Sequence, residues 1–216
     1  MTPGRLIDHG ADVNAEDLIQ AARQGEMACL GQLLQLYRNY LRLLAESQLD
    51  RKLRARVGPS DIVQETLIAA YRDYHQFVGR TEREFLAWLR QILVNHVFHQ
   101  VERHVLAGRR DVRREVSLEQ VREGVERSGI CLRAILADPG MSPSSVAQQG
   151  ESIVRLADCL TQLAPHHREV LMLRHFQGLP FESVAREMGR SPGSTRVLWL
   201  RAIRRLRELF DREEPA

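Results

Sequence analysis

The sequence predicts an all-α protein of two helical domains joined by a linker. Three observations carry that prediction. Apolar residues recur at spacings of three and four along most of the chain, and no segment alternates convincingly as a strand would. Cap and stop residues punctuate the periodic segments at helical lengths. One stretch, "ADPGMSPSSVAQQGES", is rich in Pro, Gly and Ser and divides two periodic blocks. The expected layout is an N-terminal extension over 1–14, a first domain over 15–104, a linker over 105–151 and a second domain over 152–211.

The first helix is expected over residues 15–24, with Asn14 as N-cap and Gly25 as the stop. "ACLGQLLQLYRNYLRLLAES" then aligns Leu30, Leu33, Leu34, Tyr37, Leu41 and Leu44 on one stripe, which predicts a single amphipathic helix. A basic connection follows and ends at Gly58-Pro59. "SDIVQETLIAAYRDYHQFVG" predicts a helix with Val63, Leu67, Ala70, Tyr71, Tyr74 and Val78 inward and Gly79 at its end. Thr81 and Glu84 form a capping-box pattern that opens the next helix, whose core stripe is Phe85, Trp88, Leu89, Ile92 and Leu93. Ser117 and Gln120 repeat the pattern and predict a short helix near 118–127. The second block reads as helices near 152–163, 165–176, 181–188 and 192–211.

The net charge of +3 in 216 residues conceals a pattern. Residues 51–115 and 153–210 each carry a net +5, whereas 1–50, 116–152 and the last six residues are net acidic. Arginine supplies nearly all of the basic charge, and Lys52 is the only lysine. Arginine favours bidentate contacts with phosphates and guanine edges. "GRSPGSTRVLWLRAIRRLRE" holds six arginines and a single acid, Glu208. On a solvated helix, acids would normally alternate with them at i,i+4.

The segment around it has helix-turn-helix grammar. Phe181, Val184, Ala185 and Met188 make a short amphipathic helix, and Gly189 suits a tight corner. Ser191 is a suitable N-cap, and Pro192 fits the first helical position. Trp199, Ile203, Leu206 and Phe210 form the expected buried stripe, which turns Arg196, Val197, Leu200, Arg201 and Arg204 outward. A helix of this kind enters the major groove, its flanking arginines meeting phosphates. The alternative for Arg204, Arg205 and Arg207 is simple favour from the helix dipole at a C-terminus.

Other chemistries find no support. No apolar run approaches the roughly 18 residues of a membrane span, and the N-terminus lacks a signal core, so a cytoplasmic protein without membrane insertion is expected. Cys29, Cys131 and Cys159 are far apart and read as buried thiols. His96, His99 and His104 lack paired zinc spacing, and the chain carries no phosphate-binding glycine loop or nucleophile elbow. No catalytic residue, metal or cofactor is expected.

On these residues the chain resembles the bacterial sigma factors. "LAPHHREVLMLRHFQGLPFESVAREMGRSPGSTRVLWLRAIRRLRE" looks like region 4, which reads the −35 element. "AARQGEMACLGQLLQLYRNYLRLLA", "SDIVQETLIAAYRDYHQF" and "EREFLAWLRQILVNHVFHQVERH" resemble region 2, which docks on core RNA polymerase and reads the −10 element. Two such regions and a linker resemble the extracytoplasmic-function class. The resemblance implies core RNA polymerase and promoter DNA as partners, with an anti-sigma factor as a further partner of the kind the class uses.

It assigns Asp61, Gln64 and Glu65 to the polymerase face, although Asp61 also reads as an N-cap with Gln64 completing a capping box. It assigns Asn95, His96, His99 and Arg103 to the −10 element, and Arg174, Ser194, Arg196, Val197 and Arg201 to the −35 element. The chain departs from the family pattern at Gly193-Ser194-Thr195, at Val197 and at Pro180. A stand-alone helix-turn-helix regulator with an N-terminal dimerisation or sensing domain is the competing reading. The acidic helix from Asp61 and the basic, aromatic edge near Asn95 argue for the sigma reading. A decoy that binds a regulator and not DNA is a weaker third, which the basic helix opposes. The mildly acidic linker between two basic blocks predicts that it packs them together and masks part of the DNA surface.

Overall fold

The computed structural model describes residues 14–49, 56–107, 117–136 and 149–212, and every regular element among them is helical. Asn14 caps α1 (Ala15–Arg23) by accepting the Glu16 N–H at 2.9 Å, and Gly25 ends the turn at φ +95°, as expected.

The stripe from Leu30 to Leu44 is buried throughout but belongs to two helices, α2 (Met27–Leu36) and α3 (Arg38–Gln48). The break falls at Tyr37, at φ −90° and ψ 0°. Tyr37 is fully buried, its ring lies 5.6 Å from Phe85, and its hydroxyl donates to Glu82 at 2.7 Å. That anchor bends the chain, so α2 packs on α1 while α3 runs on through the centre of the molecule.

Gly58 is the N-cap of α4 (Pro59–Arg72), with Pro59 at the first helical position. Asp61 is therefore the third residue of the helix and not its cap, and its N–H bonds the Gly58 carbonyl at 3.0 Å. The helix ends at Arg72, short of Gly79, and a 3₁₀ turn (Tyr74–Gln76) carries Tyr74 and Phe77 into a ring cluster with Phe85 and Trp88. Tyr71 and Val78, expected on the inward face, are exposed, Val78 by 86%.

The capping box of α5 (Glu82–Ala107) forms reciprocally. Glu84 N–H donates to Thr81 Oγ1 at 3.3 Å and Thr81 N–H to Glu84 Oε2 at 3.1 Å. Phe85, Leu89 and Leu93 are buried and Trp88 and Ile92 half-buried, as the stripe requires. Ser117 and Gln120 cap α6 in the same way, but α6 runs over Leu118–Leu136, well beyond residue 127. The range expected to be a linker thus contains a 19-residue helix.

The second block comprises α7 (Gln149–Gln162), α8 (Pro165–Leu171), a π-helical turn (Met172–Phe176), α9 (Phe181–Glu187) and α10 (Pro192–Arg212). Gly189 turns the α9–α10 corner at φ +62°, and Ser191 Oγ accepts the Ser194 N–H at 3.2 Å.

The buried stripe of α10 differs from the expected one. Thr195, Leu198, Ala202, Leu206, Leu209 and Phe210 face inward, and Trp199 and Ile203 sit half-buried at its edge. The indole explains the rotation. Its N–H needs a polar partner, which the rim provides: Trp199 Nε1 donates to His175 Nε2 at 2.9 Å.

One continuous apolar cluster runs through both blocks. α6 packs on α3 and α5 of the first block and on α7 and the π-helical turn of the second, and α3 packs directly on α7. The buried Ser128 hydroxyl of α6 meets Ser47 at 2.8 Å and Gln48 at 3.2 Å. Asn39 Nδ2 donates to Asp158 Oδ1 at 2.7 Å across the boundary.

Candidate polymerase and nucleic-acid interfaces

Burial on α4 decides its exposed face. Ile62, Val63, Thr66, Ala69 and Ala70 point into the core, with the Thr66 hydroxyl donating to the Ile62 carbonyl at 2.7 Å. The opposite face leaves Asp61, Gln64 and Glu65 exposed together. Ile68 and Tyr71 extend the same face at 59% and 46% exposure and were absent from the sequence-derived set. Their i+4 and i+7 spacing from Gln64 was the available signal. Beside them α2 and α4 enclose a groove of about 380 Å³, lined by Leu34, Gln35, Arg38, Gln64, Leu67 and Tyr71.

On α5, Asn95, His99 and Arg103 follow one another at i, i+4 and i+8 and are all exposed. His96 is turned aside and half-buried, with Nδ1 3.5 Å from Glu65 Oε2. Gln100 Nε2 also reaches both Glu65 oxygens at 3.4 Å. The exposed α4 carboxylate Glu65 and the α5 face are thus in direct contact. His99 lies 3.8 Å from Glu102, and Phe98 packs partly against the core.

On α10, Ser194, Arg196, Val197 and Arg201 are exposed, with Leu200 and Arg204 on the same side. Arg196 lies 5.5 Å from the Phe181 ring centre and 3.2 Å from Glu182, a contact between exposed groups that a phosphate would readily displace. Arg205 pairs with Glu208 at 2.8 Å, in keeping with the structural alternative for the arginines near the C-terminus.

Arg174 does not join this face. It is half-buried, 5.0 Å from the Phe181 ring centre, and its Nη1 donates to the Leu179 carbonyl at 3.1 Å. The guanidinium holds the turn leading into α9. Burial, with the charges of His166 and Arg201 adding, keeps His167 below the ordinary imidazole range.

Most of the N-terminal extension (1–13) and residues 108–116 and 137–148 of the expected linker lie outside the described residues. α6 joins the blocks, yet Asn95, His99, Arg103, Ser194, Arg196, Val197 and Arg201 all remain exposed. Among the described residues no helix is long and apolar enough to cross a membrane.

The fold is a helix-turn-helix block with a basic outer face, packed on a second helical block whose α4 exposes Asp61, Gln64 and Glu65. Comparison with known proteins specifies it. The Sigma-70 region 2 model matches residues 36–105, and the Sigma-70, region 4 model matches residues 153–206. The chain belongs to the sigma-70 family, in its extracytoplasmic-function class.

It is 28% identical over 196 residues to the ECF RNA polymerase sigma factor BldN of Streptomyces coelicolor, spanning 90% of this chain and 65% of that protein. It is 27% identical over 191 residues to the ECF RNA polymerase sigma factor SigD of Mycobacterium tuberculosis, spanning 88% of this chain and 81% of that protein. A solved RsbN–BldN complex is 22% identical, with 88% of this chain and 98% of that chain covered at a TM-score of 0.30.

Proposed function

We propose that the chain is a dissociable sigma factor that binds core RNA polymerase and directs promoter recognition and transcription initiation. It acts by binding and performs no chemistry, and it works in the cytoplasm with the polymerase. One observation carries the reading: a single molecule exposes an acidic, amide-bearing face on α4 and two separate DNA-type faces on α5 and α10. A stand-alone regulator would have no use for the first.

In this reading the first domain spans 15–104 and the second 152–211, with 105–151 between them. Asp61, Gln64 and Glu65 contact a coiled coil of the largest polymerase subunit. Asn95, His99 and Arg103 hold unpaired bases of the −10 element by edge hydrogen bonds and backbone contacts, which offsets an unpairing cost of about a few kcal/mol. His96 joins them once polymerase draws Glu65 away. Ser194, Arg196, Val197 and Arg201 meet the −35 element in the major groove, and Arg174 positions α9 beneath them. An anti-sigma factor would compete for these faces.

Geometry adds a requirement. Promoter elements about 25 base pairs apart are separated by about 85 Å at 3.4 Å per pair. A compact chain of this length has a radius of gyration of about 17 Å, hence a diameter of about 45 Å. The packed molecule cannot span both elements, so the contacts of α6 and α3 with the second block must open on the polymerase.

The decisive experiment incubates the purified chain with bacterial core RNA polymerase, isolates the complex by size and presents it with randomised promoter fragments. Stable association and recovery of a two-part motif are expected. DNA binding by the chain alone, without polymerase association, would replace this reading with the stand-alone regulator.

A further inference from the structure

The outer face of α10 carries two side chains that its arginines do not explain. Val197 and Leu200 are 48% and 57% exposed, although α10 has a well-formed buried stripe that could have taken apolar residues. They lie three residues apart on one side, among the exposed Arg196, Arg201 and Arg204. An apolar partner protein would have to desolvate those guanidinium groups without returning a counter-charge. A DNA major groove would meet them with phosphates and leave the two apolar side chains against base edges.

Neither side chain has a donor or an acceptor, so neither can read a base by hydrogen bonding. In the major groove the distinctive apolar group is the thymine C5-methyl. Positions i and i+3 are about 4.5 Å apart along a helix axis, and stacked base pairs are about 3.4 Å apart. The pair therefore covers methyls on adjacent or next-but-one base pairs.

We infer that Val197 and Leu200 are specificity-determining residues that read two neighbouring thymine methyl groups in the −35 element. Arg196 and Arg201 flank them on phosphates or guanine. The inference rests on the sigma-factor reading and deepens it by naming the bases this helix selects.

The test uses the complete chain bound to core polymerase. A −35 element is first recovered from randomised fragments. Each of its thymines is then replaced by deoxyuridine, which lacks only the methyl, and the affinity of the holoenzyme is measured. Two neighbouring positions should each lose roughly fourfold, the factor associated with one buried methyl-sized group. Holoenzyme carrying Leu200→Ser should become indifferent to uridine at one position, and Val197→Ser at the other. Both residues are exposed, so circular dichroism should show either variant folded like the parent.

Uridine tolerated at every position, while Arg196→Ala still lowers affinity, would overturn the inference and leave the sigma reading intact. A recovered element without A·T pairs at adjacent or next-but-one positions would do the same. A holoenzyme that recovers no element at all would sink both.

Discussion

The Glu46 carboxylate on α3 accepts a hydrogen bond from Arg168 Nη2 on α8 at 2.5 Å, joining side chains 122 residues apart in sequence. Only 13% and 17% of the two side chains are exposed, and Arg42 approaches the same carboxylate at 3.0 Å. With Asn39 and Asp158, the pair sits between elements that must part if both promoter elements are to be held at once. Glu46→Ala should destabilise the free chain by about 2 kcal/mol, the range for a hydrogen bond to a charged group. It should also enlarge the radius of gyration measured by small-angle scattering. A double-mutant cycle with Arg168→Ala that showed no coupling would remove this contact as a determinant of packing.

The proposed polymerase face should separate binding from folding. Asp61, Gln64 and Glu65 are exposed and leave the core stripe of α4 untouched. The triple substitution to Ala should abolish most association with core polymerase while shifting the melting temperature little. Ile68→Ser and Tyr71→Ser should weaken the same association if their exposed surface continues that face. Unchanged binding in a pull-down with all five residues altered would move the docking face elsewhere.

Arg174 should behave unlike its neighbours on α10. Its guanidinium bonds the Leu179 carbonyl and lies over Phe181. Arg174→Ala should therefore lower stability by about 1–3 kcal/mol, since the substitution leaves that carbonyl without this donor. Arg196→Ala should leave the melting temperature nearly unchanged, because its partner Glu182 is exposed, and should instead weaken promoter binding and reduce its salt slope.

The capping box of α5 gives a pH-dependent term. The Arg80 and Thr81 backbone N–H groups, together with the Thr81 hydroxyl, hold the Glu84 carboxyl below its ordinary range. A carboxyl lowered by folding contributes stability that is complete above its unfolded value and lost as pH falls through the lowered one. Thermal melts from about pH 6 down to about pH 3 should show the parent losing more stability than Glu84→Gln, which keeps a capping amide without the charge. Thr81→Ala should cost about 1 kcal/mol at neutral pH.

Gly79 marks a close approach that composition alone would miss. A Cβ there would lie 2.4 Å from Phe77 Cζ and 2.8 Å from the Glu84 Cβ. Gly79→Ala should destabilise the first block by about 1–3 kcal/mol through overpacking of the ring cluster. Equal melting temperatures would mean that Phe77 can swing aside without loss.

Most of the architecture was legible because it is written locally. Asn14, Thr81 with Glu84, Ser117 with Gln120, and Ser191 set four helix starts through side chains that satisfy backbone N–H groups one turn away. The basic outer face of α10 was legible too, because a helical period places charges opposite an apolar stripe.

Readings failed where a distant partner decided the outcome. Tyr37 interrupts a continuous stripe because Glu82 and Phe85, more than forty residues away, hold its hydroxyl and ring. Trp199 rotates to the rim because its N–H finds His175, 24 residues away.

Alone, the sequence determined helical class, helix order, most boundaries and the sign of each face, all properties of residues within a turn or two of one another. Only tertiary structure decided that α6 is a packing element between the blocks, that Glu65 touches His96, and that Tyr71 and Val78 stand uncovered. Those facts depend on which surfaces meet across long chain separations, where burial and the satisfaction of polar groups outweigh local preference.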